Sequence, residues 1–383
     1  MFTAAFRPFF LAATLWAALA VPFWLLSYAG VIALPAGIAP YLWHQHEMVF
    51  GFAFAAVAGF LLTAIPNWTG RLPLRGAPLA ALVALWLAGR VALLLSARLP
   101  PPAVAALDLA FPAALIAVVG RELVAGRNWR NLPMIVALGL LFTGNLLVHL
   151  QQLGLAYTAF LGNRLGLATL LMLIALIGGR IVPSFTRNWL AKRGASALPP
   201  PAGRVDAAAL GLTFAALASW VVFPDSALMY GLSLAAGVAL GVRLSRWRGL
   251  ATLDEPLVFV LHAGYAWLAL GLALAGLNGL APFMPRSVAL HALTIGAIGT
   301  MTLAVMTRAT LGHSGRTLSA DRPTIAVYVL VTLAALLRLA APLAGSGYLA
   351  VTLAAGFAWS AAFLLFVATY WRLLRFDRNQ TGT

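Results

Sequence analysis

The chain alternates between long apolar stretches and short connections that hold most of its charged residues. About twelve of the stretches approach the ~20 residues that an α-helix needs to cross the hydrocarbon core of a membrane. We place the spans at Phe9 to Tyr28, Trp43 to Ile65, Ala77 to Ala97, Ala103 to Val124, Leu132 to Gln152, Phe160 to Val182, Ala207 to Phe223, Ala227 to Val242, Pro256 to Leu277, Arg286 to Thr307, Thr324 to Leu343 and Gly347 to Trp371. The pattern predicts an all-α, polytopic membrane helical bundle.

The composition supports a membrane protein and narrows its chemistry. Of the 383 residues, 62% are hydrophobic and 9% are charged, whereas an ordinary globular domain has about 25% charged residues. The chain contains no cysteine. Disulfides, thiolate metal sites, iron–sulfur clusters and covalently attached c-type haem are therefore excluded. Any metal or haem has to be held by other ligands, of which histidine is the best available.

The net charge of +16 is distributed as a topology signal. Nineteen of the 25 basic residues lie in the amino-terminal arm, in the connections after even-numbered spans, or in the carboxyl-terminal tail, which includes Arg378. Cytoplasmic loops collect Lys and Arg, so we expect both termini to be cytoplasmic. Nucleic-acid binding requires basic residues gathered on one soluble face, and this distribution argues against nucleic acid as a partner.

The connections are too short to contain a soluble domain, so we expect one transmembrane domain over residues 1–383. Its approximate halves are 1–191 and 205–383. A proline-rich cytoplasmic linker, from Lys192 to Arg204, joins them and contains Pro199, Pro200 and Pro201. Such a proline run is typical of a stiff spacer. We interpret the first span as a helix because its apolar run is too long for a secretory signal peptide.

The six histidines fall at two predicted depths. His44, His46, His149 and His291 lie near the outer ends of spans 2, 5 and 10, whereas His262 and His313 lie toward the cytoplasmic side. A histidine near a helix end is often only a hydrogen-bonded interfacial residue. Four at one level on three spans favour a metal or haem site, because imidazole is the commonest protein metal ligand.

The segment from Trp43 to Met48 is the densest candidate site. Residues two apart on an α-helix point about 200° apart, so His44 and His46 should face different neighbours; a shared ion requires a non-helical backbone there. Glu47 could orient an imidazole or carry protons, and is our candidate catalytic residue. The alternative for Glu47 is simple stabilisation of the first helical turn.

Weaker signals lie elsewhere in the chain. Arg164 and Arg286 could neutralise haem propionates or could be surface arginines whose charged ends reach water. Arg90, Arg180 and Arg338 fall within spans. Spans 2, 6 and 10 end in related Pro or Thr-Arg segments, an interval of four helices that suggests three four-helix units, as in the haem–copper oxidase core.

Several of these segments together resemble the NnrS family over almost the whole chain. The resemblance is carried by Phe6-Arg7-Pro8-Phe9-Phe10, Trp43-His44-Gln45-His46-Glu47-Met48-Val49-Phe50-Gly51-Phe52, Pro66-Asn67-Trp68-Thr69-Gly70-Arg71, Gly178-Gly179-Arg180, Leu261-His262-Ala263-Gly264-Tyr265, His291-Ala292-Leu293-Thr294 and Leu311-Gly312-His313. It implies a multi-pass protein of the bacterial inner membrane that contains haem and copper and serves nitric oxide metabolism and relief of nitrosative stress.

Our hypothesis from the sequence is a metal centre between spans 2, 5 and 10. A non-covalent b-type haem would take one or two of His44, His46, His149 and His291, copper or another metal would take the rest, and His262 with His313 would serve a second haem or metal. Two adjacent centres could bind or reduce nitric oxide, with Glu47 supplying protons. A non-catalytic sensor or carrier and a proton-coupled transporter are the alternatives.

The electron donor is unknown, membrane lipid is an expected partner, and a homo-oligomer is one option that the sequence leaves open.

Overall fold

A computed structural model describes residues 1–376 of the protein, so Arg378 of the basic tail lies outside the described residues. About 80% of the chain is helical, and no strand occurs among the described residues. Eleven continuous helical stretches within residues 1–376 are long and apolar enough to cross a membrane. This confirms the prediction of an all-α, multi-pass membrane protein.

The last of these stretches, Arg322–Arg375, contains two helices. Its 54 residues would extend about 80 Å as one helix, far more than the ~30 Å hydrocarbon core. Gly345 interrupts it with a left-handed φ of +52°. The described chain therefore has twelve spans, in agreement with the predicted number. An even number places both ends on one side, and their assignment to the cytoplasm stays a prediction from charge.

We number the twelve helices α1 to α12. They are α1 (Phe6–Tyr28), α2 (Pro40–Thr69), α3 (Ala77–Leu94), α4 (Pro101–Ala125), α5 (Trp129–Gln152), α6 (Ala159–Lys192), α7 (Arg204–Val222), α8 (Ala227–Ser245), α9 (Pro256–Leu280), α10 (Arg286–His313), α11 (Arg322–Ala340) and α12 (Tyr348–Arg375). Proline stands at the first or second position of α2, α3, α4, α9 and α11. This placement suits proline because the first helical N–H groups have no partner within the helix.

The chain folds into two compact units. Unit 1 comprises Met1–Thr169, Ala309–Arg316 and Phe363–Thr383, of which residues 363–376 are described, and unit 2 comprises Leu170–Arg308 and Thr317–Ala362. Within unit 1, α1, α2 and α4 meet at buried aromatic side chains. Phe9 and Phe54 pack against Phe111 with ring centroids 5.8 and 5.6 Å apart.

Three spans widen locally into π-helix, and they lie four helices apart. The π segments are Glu47–Ala53 in α2, Ile174–Gly178 in α6 and Ala292–Gly299 in α10. These are also the spans whose ends share related sequences, and the repeated four-helix unit stays a prediction. π-Helical turns are rare and occur frequently at functional sites. The first of them begins directly after His46.

Small residues of α10 permit close packing against α9. A Cβ atom added at Gly296 would lie 2.6 Å from the Trp267 ring of α9. Because small residues let membrane helices approach each other, Gly296 is explained by packing within unit 2.

Candidate metal centre

The sequence places its densest polar segment at the junction between an α-helical and a π-helical turn of α2. His46 ends the α-helical part, Pro40–His46, and Glu47 begins the π segment. Both side chains are fully buried. The segment is helical at His44, so the condition for one ion shared by His44 and His46 is not met. His44 instead stacks on Trp24, with ring centroids 4.1 Å apart, which confirms that the two histidines face different neighbours.

His46 lies in a network of buried polar side chains from four helices of unit 1. Its Nε2 is 2.7 Å from Asn145 Oδ1 and 3.2 Å from Asp108 Oδ2, and its Nδ1 is 3.2 Å from Glu47 Oε1. Both ring nitrogens therefore lie against oxygen acceptors. The imidazole that Glu47 contacts is that of His46, its neighbour in the sequence.

Asp108 of α4 is the point on which the network converges. Its Oδ2 accepts hydrogen bonds from Asn145 Nδ2 at 2.8 Å and from His149 Nε2 at 2.9 Å. Asn145 and His149 are four residues apart on α5 and so project from the same face of the helix. His46 and His149 thus direct their Nε2 atoms to one carboxylate, and their ring centroids are 5.8 Å apart.

Arg90 of α3 balances the two carboxylates of the network. It donates from Nη1 to both oxygens of Glu47 at 2.9 Å, and from Nη2 to Asp108 Oδ1. The Arg90 side chain is 2% exposed and both carboxylates are 0% exposed. Burying charges in a membrane is costly unless they are paired, so this ion-paired triad must be held in place by the surrounding fold.

Two glycines make room for the network. A Cβ atom at Gly51 would lie 2.8 Å from Glu47 Oε2 and 2.9 Å from both Arg90 Nη1 and Trp16 Nε1. A Cβ atom at Gly89 would lie 2.7 Å from Asp108 Oδ1. In addition, the Gly51 carbonyl accepts a hydrogen bond from Trp86 Nε1 at 3.0 Å, which fixes the π segment from outside the helix.

The network contains a set of atoms that can bind a metal ion. One ligand atom each from His46, Asp108 and His149 lie within 4.8 Å of one another, and all three residues are buried. Bonds from transition metals to imidazole or carboxylate are about 2.0–2.2 Å long, so ligand atoms around one ion are separated by about 3–4 Å. Two imidazoles and a carboxylate suit copper, zinc or non-haem iron.

A model of the NnrS family, described as "NnrS protein", matches residues 1–378 of the chain. The protein belongs to the NnrS family. A comparison with curated proteins found no match. The resemblance stated from the sequence is thereby confirmed, and the buried network lies in a multi-pass membrane protein of the NnrS family.

The other predicted site residues of this NnrS-family chain lie outside the network around His46. His291 of unit 2 is partly buried, and its Nδ1 donates to the Ser287 carbonyl at 2.6 Å. Arg338 is close enough to interact electrostatically with His291. Arg286 is exposed and pairs with Asp225. Arg164 in unit 1 is partly buried.

The two histidines predicted on the cytoplasmic side, His262 and His313, differ from each other in burial and belong to different units. His262 in unit 2 is 4% exposed, and its Nε2 lies 2.8 Å from Thr186 Oγ1. The Thr186 hydroxyl donates to the Val182 carbonyl at 2.9 Å, so it accepts a hydrogen bond from His262 Nε2. His313, which belongs to unit 1, is exposed beside the Phe6 ring.

Sequence reasoning missed three members of the network: Asp108, Asn145 and Arg90. Asp108 and Arg90 are charged residues inside strongly apolar spans, and such residues usually pair with each other. That signal was present in the sequence, although Arg90 was assigned no role and Asp108 was overlooked. Asn145 lies four residues before His149 and would have been found by asking what shares its helix face.

Proposed function

We propose that this NnrS-family protein binds copper at His46, Asp108 and His149, binds a b-type haem through a separate histidine, and interacts with nitric oxide in the bacterial inner membrane. The observation that carries the copper site is the convergence of His46 Nε2 and His149 Nε2 on one buried carboxylate oxygen. Haem, the inner-membrane location and nitric oxide come from the family resemblance, which the match over residues 1–378 supports.

The contacts of His46 favour a metal ion over haem at this centre. Its Nε2 faces Asn145 and Asp108, and its Nδ1 faces Glu47, so protein side chains occupy the space beside both nitrogens. A metal ion can enter among these side chains by displacing the proton at Nε2, because metal-bound imidazole gives up that proton. Glu47 and Arg90 then hold the ligands in place.

His291 has the hydrogen bond expected of a haem-binding histidine. Metal-ligating histidines usually donate the second ring N–H to a carbonyl or carboxylate. The Nδ1 atom of His291 donates in this way to Ser287, which leaves Nε2 as the nitrogen with a lone pair. Arg338, which is 8% exposed, supplies a positive charge near His291 that suits a haem propionate.

Bound haem and copper would supply the sites at which nitric oxide binds. The residues of the chain would orient these groups and restrict access of water, since the network at His46 is buried. Glu47 is placed to exchange a proton with His46 Nδ1. If bound nitric oxide is reduced, the protein is a reductase. If nitric oxide is only bound, the protein is a sensor or carrier.

The metal sites are tested by the composition and the absorption spectrum of the purified protein. The full chain is expressed with haem and copper supplied and is purified in mild detergent. We expect His46→Ala to lose copper and keep haem, and His44→Ala, the matched control two residues away, to keep copper. His291→Ala should lose a haem spectral component. Unchanged copper in His46→Ala would refute the assignment of the copper site.

The nitric oxide function is tested separately with the reduced protein. Catalytic consumption of nitric oxide would identify a reductase, whereas stoichiometric binding without turnover would identify a sensor or carrier. A colourless, metal-free preparation would contradict the proposal. It would favour proton-coupled transport instead, with the Glu47–Arg90–Asp108 triad as an ionisable path through the membrane.

A further inference from the structure

A basic cavity lies in unit 1, in the connection between α2 and α3 and next to the end of α4. Its volume is about 550 Å³, and its lining includes Arg71, Leu72, Leu74, Arg75, Arg121 and Glu122. None of these residues belongs to the network around His46. The proposed metal chemistry therefore does not explain the cavity.

Glu122 organises two of the three arginines. Its Oε2 accepts a hydrogen bond from Arg71 Nε at 2.6 Å, and its Oε1 accepts one from Arg121 Nη2 at 2.7 Å. The Glu122 side chain is only 11% exposed, whereas those of Arg71 and Arg121 are 43% and 65% exposed. The carboxylate thus fixes two guanidinium groups and leaves their remaining N–H donors available to a ligand.

The cavity keeps an excess of positive charge after this pairing. Arg75 makes no ion pair within residues 1–376. Three arginines and one glutamate give the lining a formal charge of +2. Guanidinium groups bind phosphate oxygens through paired N–H donors, so the complementary ligand is a phosphate group.

The apolar residues beside the arginines indicate where the phosphate comes from. Leu72 follows Arg71 directly and is 84% exposed. An exposed leucine next to basic residues at the end of a membrane span suits the boundary between headgroups and acyl chains. The charge pattern predicts that this connection lies on the cytoplasmic side, where the leaflet carries anionic lipids that attract basic residues near the membrane.

We propose that this cavity binds the headgroup phosphate of an anionic phospholipid. Arg71, Arg75 and Arg121 contact the phosphate, and Leu72 enters the acyl region beside it. The site is independent of haem, copper and nitric oxide, so failure of the proposed function leaves this proposal intact. Lipid bound here would connect the end of α2, the helix that contains His46, to the end of α4, the helix that contains Asp108.

The test measures lipid binding by the purified full chain. Delipidated protein is titrated with phosphatidylglycerol or phosphatidylcholine, and bound lipid is counted by native mass spectrometry. Wild type should retain phosphatidylglycerol and bind phosphatidylcholine more weakly. Each arginine removed should weaken phosphatidylglycerol binding about fivefold, first in Arg75→Gln and further in Arg71→Gln with Arg75→Gln. Arg75→Gln breaks no ion pair among the described residues, so it should fold normally.

Arg130→Gln is the matched control, because Arg130 lies at the start of α5, on the same predicted side of the membrane but outside the cavity. Equal losses in Arg75→Gln and Arg130→Gln would show general surface attraction and overturn the site. Inorganic phosphate is titrated in a parallel experiment. If phosphate alone binds as tightly as phosphatidylglycerol and Leu72→Ser has no effect on lipid binding, the site is for free phosphate and the lipid proposal is wrong.

Discussion

Arg90 in unit 1 and Arg243 in unit 2 are both 2% exposed, and each pairs with an aspartate on a different helix beside a π segment. Arg243 donates from Nε to Asp206 Oδ1 at 2.8 Å. Its Nη1 donates to the Ala175 carbonyl, which lies in the π segment of α6, and to the Tyr265 hydroxyl at 2.8 Å. Arg90 instead joins Glu47 and Asp108, and its acceptors among the described residues are carboxylate oxygens.

The other partners of the two arginines show how similar buried Arg–Asp ion pairs can serve different purposes. A π segment exposes carbonyl groups that need a donor. In unit 2, Arg243 supplies that donor, so its ion pair supports the backbone. In unit 1, the donor to Gly51 is Trp86, and Arg90 is left to balance carboxylates beside His46. Arg90 is therefore free to pair with the carboxylates of the candidate metal centre, because Trp86 already donates to the backbone of the π segment.

The largest expected effect is the loss of either arginine. Removing one partner of a buried ion pair costs about 3–5 kcal/mol, so Arg90→Ala and Arg243→Ala should both strongly lower the free energy of unfolding in detergent. Only Arg90→Ala should also lose copper from the protein that remains folded. Copper loss of the same size in Arg243→Ala would break the distinction between the two networks.

The next prediction concerns the two aspartates. Asp108→Asn should weaken copper binding at least about 100-fold, the upper end of what the loss of a supporting partner costs, because it removes a ligand oxygen. Asp206→Asn is the matched control and should keep the wild-type copper affinity. The copper affinities of both variants are measured by competition with a chelator of known affinity. A wild-type affinity in Asp108→Asn would show that Asp108 only positions the histidines.

A smaller effect is expected when space in the π segment is filled. Gly51→Ala places a methyl group against Glu47, Arg90 and Trp16, and such overpacking typically costs about 1–3 kcal/mol. Gly139 of α5 has no atom within 4 Å of an added Cβ. Gly139→Ala should therefore be neutral or stabilise the protein by about 0.5–1 kcal/mol. Thermal unfolding of both variants measures the difference. Equal melting temperatures for Gly51→Ala and Gly139→Ala would contradict the prediction.

The smallest predicted effect is in unit 2. Tyr265→Phe removes the hydroxyl that accepts from Arg243 and should cost only about 0.5–1.5 kcal/mol, because Arg243 Nη1 keeps its hydrogen bond to the Ala175 carbonyl. The haem and copper content should stay at the wild-type level, as measured by absorption and metal analysis. A changed metal content would place the Arg243 network among the residues that support a cofactor.

Part of the candidate site could be predicted from the sequence. The divergence of His44 from His46 follows from the geometry of a helix, whereas the location of His46 and His149 near the outer ends of their spans stays a prediction. Arg90 and Asp108 are charged residues inside apolar spans, which is a signal of function, but they were not predicted as members of the site. Their mutual contacts could not be predicted, because they lie 18 residues apart on different helices.

The sequence by itself determined that the chain crosses a membrane about twelve times, which spans bear histidine, and which family the protein resembles. Length, apolar composition and charge are properties of each segment alone, so they can be read along the chain. Tertiary structure decided that His46 faces Asp108 while His44 faces Trp24. These helices are apolar on nearly every side, and a helix without a polar face carries little information about its rotation. Only packing against its neighbours fixes which side chains meet.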